Sequence, residues 1–100
     1  MNHHDPDFDA LHPSGQVMFR SCPGGYLHSV ALDESALRTD SVTLARAVLL
    51  TAEVSHLKAV MRIREDIVAA GFTPSAEIAG PAEFDRAHEA LLGHRLRPDL

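Results

Sequence analysis

Seven histidines, fourteen carboxylates and one cysteine are the groups in this chain that could do chemistry. His56 and Glu53 stand three apart in a helical stretch, His28 stands in a strand-like one, and Ser29, Ser41 and Ser55 are at hand, so a Ser/His/acid triad can be assembled on paper. With so many histidines and acids such combinations are expected by number alone, and none of these residues sits in a strained elbow or a motif that fixes geometry. The expectation is therefore that no residue is catalytic and the protein is not an enzyme. His56 lies at the edge of an apolar helical stripe and reads as an interface histidine. Cys22 adjoins a turn, and only Arg20 nearby in sequence could favour its thiolate, so it is not expected to act as a nucleophile.

Metal and phosphate chemistry fare no better. His3, His4 and His12 with Asp5, Asp7 and Asp9 are competent ligand types, but a flexible arm has no outer shell to orient imidazoles and must be ordered before it can ligate. Gly24-Gly25 would suit a phosphate-cradling loop only if a helix followed, and a strand follows instead. Arg62 and Arg64 have Glu65 and Asp66 beside them, which makes a self-compensating face. No metal and no cofactor are expected.

These groups sit on a chain of 100 residues, 45% hydrophobic and 23% charged, enough for one domain with a modest core. Nine Lys plus Arg against fourteen Asp plus Glu leave a net charge of −5, which argues against a basic nucleic-acid coat. A lone cysteine suits a reducing compartment. No apolar run approaches the ~18 residues of a membrane span, and the start lacks the pattern of a signal peptide, so a cytoplasmic protein with no membrane partner is expected.

Three segments follow from the texture. Residues 1–14 are acidic, broken by Pro6 and Pro13, and read as a flexible arm. Residues 15–71 read as a hairpin plus a long helix: Val17 and Phe19 alternate on one side of Cys22-Pro23-Gly24-Gly25, and Tyr26, His28, Val30 and Leu32 on the other. Asp40 or Ser41 then caps a helix running to about Ala70, where Gly71 stops it. Residues 72–100 read as a linker, a short helix from Pro81 to just before Gly93, and a small basic tail. The fold class is α+β: an antiparallel hairpin, with or without an extra strand, then a long helix and a short C-terminal one.

Winding the long helix at about 100° per residue puts Ala47, Leu50, Val54, Leu57, Met61 and Val68 on one stripe. A second stripe, nearly opposite, carries Ala45, Leu49, Ala52, Ala59, Ile63, Ile67 and Ala70, while Thr51, Ser55, Lys58, Arg62 and Asp66 form a polar strip. A two-stranded hairpin covers one face for part of the length, so the other needs the last helix or a second chain. A homodimer is the economical reading. Its interface, or that with a protein partner, is expected at Leu49, Val54, Leu57, Met61, Ile63 and Ile67 on the helix and at Tyr26 and Leu27 on the hairpin.

The stretch GQVMFRSCPGGYLHSVALDESALRTDSVTLARAVLLTAEVSHLKA resembles YbaB/EbfC-like proteins, in which a strand, a Gly turn and a second strand precede a long helix. The positions that carry the resemblance are Gly25, Leu27, Val30 and Leu32, then Leu44-Ala45, Val48 and Lys58-Ala59. The spacing is most similar to the actinobacterial branch associated with type VII (ESX) secretion, including its Esp accessory proteins, over about residues 15 to 60. The resemblance implies an α+β protomer that dimerises through hairpin and helix without shared catalytic residues. It also implies a protein-interaction module, accessory or chaperone-like. The broader family includes nucleoid-associated DNA binders; the net charge of −5, the single lysine and the acidic arm depart from them.

Overall fold

The computed structural model describes residues 6–96. A 3-10 turn, Pro6–Phe8, leads into β1 (Ala10–Leu11), β2 (Val17–Ser21) and β3 (Leu27–Leu32), an antiparallel sheet in the order β1-β2-β3. A 3-10 helix, Glu34–Arg38, precedes α1 (Ser41–Ala69), and α2 (Pro81–Leu92) follows a linker. The α+β class, the hairpin and both helices are as expected, and the additional strand is β1.

The hairpin closes where Pro-Gly-Gly makes a tight reversal cheap. Cys22 N–H donates to Tyr26 O at 2.7 Å, Gly25 N–H donates to Cys22 O at 2.9 Å, and Gly24 and Gly25 hold φ of 96° and 89°. A register shift between Arg20 and Ser21 lets the strands meet the turn. On the inner face Val17, Phe19 and Ser21 are all buried.

At 29 residues α1 is about 44 Å long, and its ends are set by local chemistry. Asp40 accepts from Thr43 N–H at 2.9 Å and from Thr43 Oγ1 at 2.7 Å. At the other end Phe72 N–H reaches Ile67 O at 3.0 Å and Gly71 N–H reaches Val68 O at 2.9 Å, with Gly71 at φ 91°, a Schellman termination. Between these caps α1 lies over β2 and β1 and receives α2 along its side. One core cluster joins Leu50, Val54 and Leu57 to Ala10, Ala87 and Leu91, and a second joins Val17, Ala36 and Ala47, with Leu96 packed against it.

Two expectations are corrected by this packing. The polar strip does not form one face: Arg62 and Asp66 are exposed, but Thr51 and Ser55 are buried, and Thr51 Oγ1 satisfies itself by donating to Ala47 O at 2.6 Å. Nor is the described part of residues 1–14 a free arm. Phe8, Ala10 and His12 are buried, β1 is paired to β2, and the acids are met by cations. Asp9 accepts from Arg20 Nε at 3.1 Å, Lys58 Nζ donates to Asp9 O at 2.7 Å, and Arg62 lies 3.3 Å from Asp7 and over the Phe8 ring. Acids read as solvated here help to dock the segment, Asp7 onto Arg62 of α1 and Asp9 onto Arg20 of β2. His3, His4 and Asp5 lie outside the described residues.

Candidate functional site

Of the triad candidates only the sequence neighbours His28 and Ser29 touch, and among the described residues no acid joins them. Ser55 Oγ donates to Phe8 O and His56 Nδ1 donates to Gly25 O, each engaged in holding one element to another. His28 Nδ1 contacts Ser29 Oγ, and Ser41 is the first residue of α1. A second serine also meets a histidine: Ser14 Oγ is 2.8 Å from His12 Nδ1, and His12 Nε2 is 3.0 Å from His94 Nδ1. Ser14 N–H also donates to that Nδ1 at 3.0 Å, so the lone pair a general base would use is already occupied. Burial, and then the charges of His94 and Arg95, hold His12 below the ordinary imidazole range, which weakens it further as a base. Among the described residues no three His, Cys, Asp or Glu side chains are placed to hold a metal ion. Arg62 is engaged by Asp7 and Glu65, and Arg64 donates to Ile78 O at 3.2 Å, so neither guanidinium is set aside for a phosphate.

What the fold leaves open is a surface. Directly opposed residues on paired strands project to the same face, so Leu32 accompanies Val17 and Val30 accompanies Phe19 toward the side on which α1 packs. Val17 and Phe19 are 0% and 9% exposed, yet Leu32 and Val30 are 42% and 45% exposed, because α1 lies over β2 and β1 rather than β3. Alongside runs the α1 flank that carries Ala45, Leu49 and His56. The hydrogen bond from His56 to Gly25 O, 2.9 Å, turns this flank toward the hairpin end from which β3 departs. Leu49 is 63% exposed. The outer edge of β3 is unpaired among the described residues, and Tyr26 to Leu32 contains no Lys, Arg, Asp, Glu or Pro, the residues that commonly blunt such an edge.

The expected interface residues divide accordingly. Tyr26, Leu27 and Leu49 are exposed on the hairpin and on the open flank. Val54 and Leu57 are not available to a partner: they are buried against Ala10, Ala87 and Leu91 within one chain, because β1 and α2 close over that stripe. Ile63 and Ile67 are half-buried farther along α1. Met61 is half-buried in an open groove with Val68, Pro74, Pro81 and Phe84. Val68, expected in the core, is exposed at the lip of that groove because α2 covers α1 only in part. Val30 and Leu32 were legible as strand residues but not as open surface, since that depends on where α1 crosses the sheet.

Three relatives are each 55% identical over 93 residues, covering 93% of this chain and 92% of their own length: uncharacterized proteins from Mycobacterium bovis and from two strains of Mycobacterium tuberculosis. No solved structure matches. A family model described as "Protein of unknown function (DUF2694)" matches residues 1–97, and the chain belongs to that family.

Proposed function

We propose that the protein is a non-enzymatic interaction module that works as a homodimer, accessory or chaperone-like in type VII secretion and YbaB-like in its assembly. The observation that carries this reading is the uncharged, unpaired β3 edge lying beside the exposed Leu49 flank of α1. Antiparallel pairing of β3 with β3 of a second copy satisfies the free backbone groups of both edges. It also brings a second α1 toward Val30 and Leu32, which one chain leaves uncovered. Two copies that each carry −5 meet best where neither places a charge, and Tyr26 to Leu32 is such a place. The secretion assignment is supported by the resemblance over about residues 15 to 60, and the matched relatives are actinobacterial.

Light scattering at tens of micromolar tests the dimer, with twice the 10.9 kDa chain mass expected. Val30→Lys and Leu49→Arg are expected to give folded monomers, since both side chains are already exposed within one chain. A monomeric wild-type protein would overturn the reading. A gel shift at about 0.15 M salt tests the nucleoid alternative, because binding through phosphates falls steeply with salt. Sub-micromolar duplex binding that disappears on replacing Arg62 and Arg64 would favour that alternative. Crosslinked affinity purification from the native cell names the partner.

A further inference from the structure

We propose that His12 and His94 form a latch that holds the segment His94–Leu96 onto the sheet when both rings are neutral and releases it when either is protonated. The two residues are 82 positions apart in sequence, and their rings pack edge to face with centroids 5.3 Å apart. His12 is fully buried.

The hydrogen bonds determine which protonation state fits. Ser14 N–H is a donor that cannot reverse, and it points at His12 Nδ1 from 3.0 Å, so that nitrogen carries no proton. The proton of neutral His12 is therefore on Nε2, where it is donated to His94 Nδ1 at 3.0 Å, and His94 carries its own proton on Nε2. A second proton on His12 would go to Nδ1 and face the Ser14 N–H. A second proton on His94 would go to its Nδ1 and face His12 Nε2–H. Either one replaces a hydrogen bond with two opposed donors in a buried place.

Among the described residues only the Ser14 hydroxyl, 2.8 Å from Nδ1, could accept the added His12 proton, and no negative charge acts on the ring. Among the same residues the charges that act on His12 come from His94 and Arg95, both following α2, and both oppose a further positive charge. The turn after β1 contributes the Ser14 hydroxyl and N–H, and β2 contributes the Val17 carbonyl, which is taken by His12 N–H at 2.8 Å. Burial adds to the same preference.

Opening has a defined structural content. α2 ends with Gly93 N–H on Glu89 O and His94 N–H on Leu91 O, so the helix is complete without the latch. Beyond it Leu96 packs against the Val17, Ala36 and Ala47 cluster and lines a pocket with Gln16, Ser35, Arg38 and Thr39. Losing the ring pair frees Leu96 to leave and opens that pocket, while Leu91 and the main core stay in place.

Nuclear Overhauser contacts from the Leu96 methyls to Val17 and Ala47 test this in the full chain. They are expected at about pH 7.5 and to weaken once pH falls below the ordinary imidazole range, with a midpoint that follows the lowered His12 ring and about tenfold further loss for each pH unit below it. Contacts between Leu57 and Leu91 should persist throughout. His94→Leu, which removes the acceptor of the His12 Nε2–H, should weaken the Leu96 contacts already at about pH 7.5 and leave little further change in acid. His94→Asn, whose oxygen can accept from His12, should keep them at pH 7.5 and lose them in acid with His12 alone. Leu96 contacts that do not change with pH in the wild-type protein would overturn the proposal, as would wild-type-strength Leu96 contacts in His94→Leu at about pH 7.5 or loss in step with the Leu57–Leu91 contacts.

Discussion

The hydroxyls of Ser21 and Ser55 meet at 2.7 Å between β2 and α1, and both residues are buried. Ser55 Oγ also donates to Phe8 O at 2.7 Å, so the proton between the two serines is supplied by Ser21. Three elements thus converge on one side chain: the N-terminal turn, the sheet and the long helix. Removing Ser55 Oγ leaves the Phe8 carbonyl without its donor and the Ser21 hydroxyl without its acceptor, whereas removing Ser21 Oγ leaves the bond to Phe8 intact. Ser55→Ala is expected to cost about 2 to 4 kcal/mol and Ser21→Ala about 1 kcal/mol. Urea unfolding of the two variants checks the ranking; equal costs would show that the Phe8 carbonyl does not depend on Ser55.

Gly25 is needed for two separate reasons, its φ of 89° and the His56 ring against which a Cβ would lie 2.7 Å from Nδ1. Gly25→Ala should destabilise by about 1 to 2 kcal/mol from the backbone alone, and more from displacing His56. The double variant with His56→Ala should recover the steric part, so the two costs should not add. Thermal melts of the two single variants and the double variant give the coupling directly, and strict additivity would remove the clash from the account.

Leu57→Asp should abolish folding, because the carboxylate would be placed among Ala10, Val54, Ala87 and Leu91 without a partner, a cost of several kcal/mol. Leu91→Ala at the same cluster should cost about 2 to 5 kcal/mol and leave a folded protein. Far-ultraviolet circular dichroism distinguishes the two outcomes.

Hydrogen bonds from the Thr43 backbone and hydroxyl hold the Asp40 carboxyl below its ordinary value. Its folded pKa is depressed, so the folded state binds fewer protons than the unfolded one as pH falls. The contribution of this cap is present above the ordinary carboxylate value and is lost as pH drops through the lower folded value. Asp40→Ala should therefore lower the melting temperature at neutral pH and lose that difference in acid. A melting difference that stays constant down to strongly acidic pH would contradict the capping role.

The hairpin and the ends of α1 were legible because their causes are local: Pro-Gly-Gly for the reversal, Asp40 for the start and Gly71 for the stop. The depth of Thr51 and Ser55 was not. A hydroxyl on a helical wheel counts as solvent-facing, while in three dimensions it is small enough to let β2 approach and can bond to a carbonyl or to another hydroxyl. The docking of residues 6–12 was hidden for a related reason, since Asp7 and Asp9 find Arg62, Arg20 and Lys58 only after α1 and β2 are side by side. Of the open surface, Leu49 could be read from the second helical stripe. Val30 and Leu32 could not, because their exposure depends on α1 lying over β1 and β2.

The tie between Phe8 and Ser55 also bears on the order in which the chain acquires its structure during synthesis. Phe8 and His12 emerge early, yet the partners of Phe8 O and His12 Nε2 stand at positions 55 and 94. Such distant pairings cannot form until most of the chain has been made, and separations of this length slow folding because the intervening loop must close first. The three strands and α1 can take shape as they appear, whereas the ties of Phe8 to Ser55 and of His12 to His94 must wait. The unguarded β3 edge is meanwhile open to other nascent chains, which makes this interval the one in which the protein is most vulnerable to mispairing.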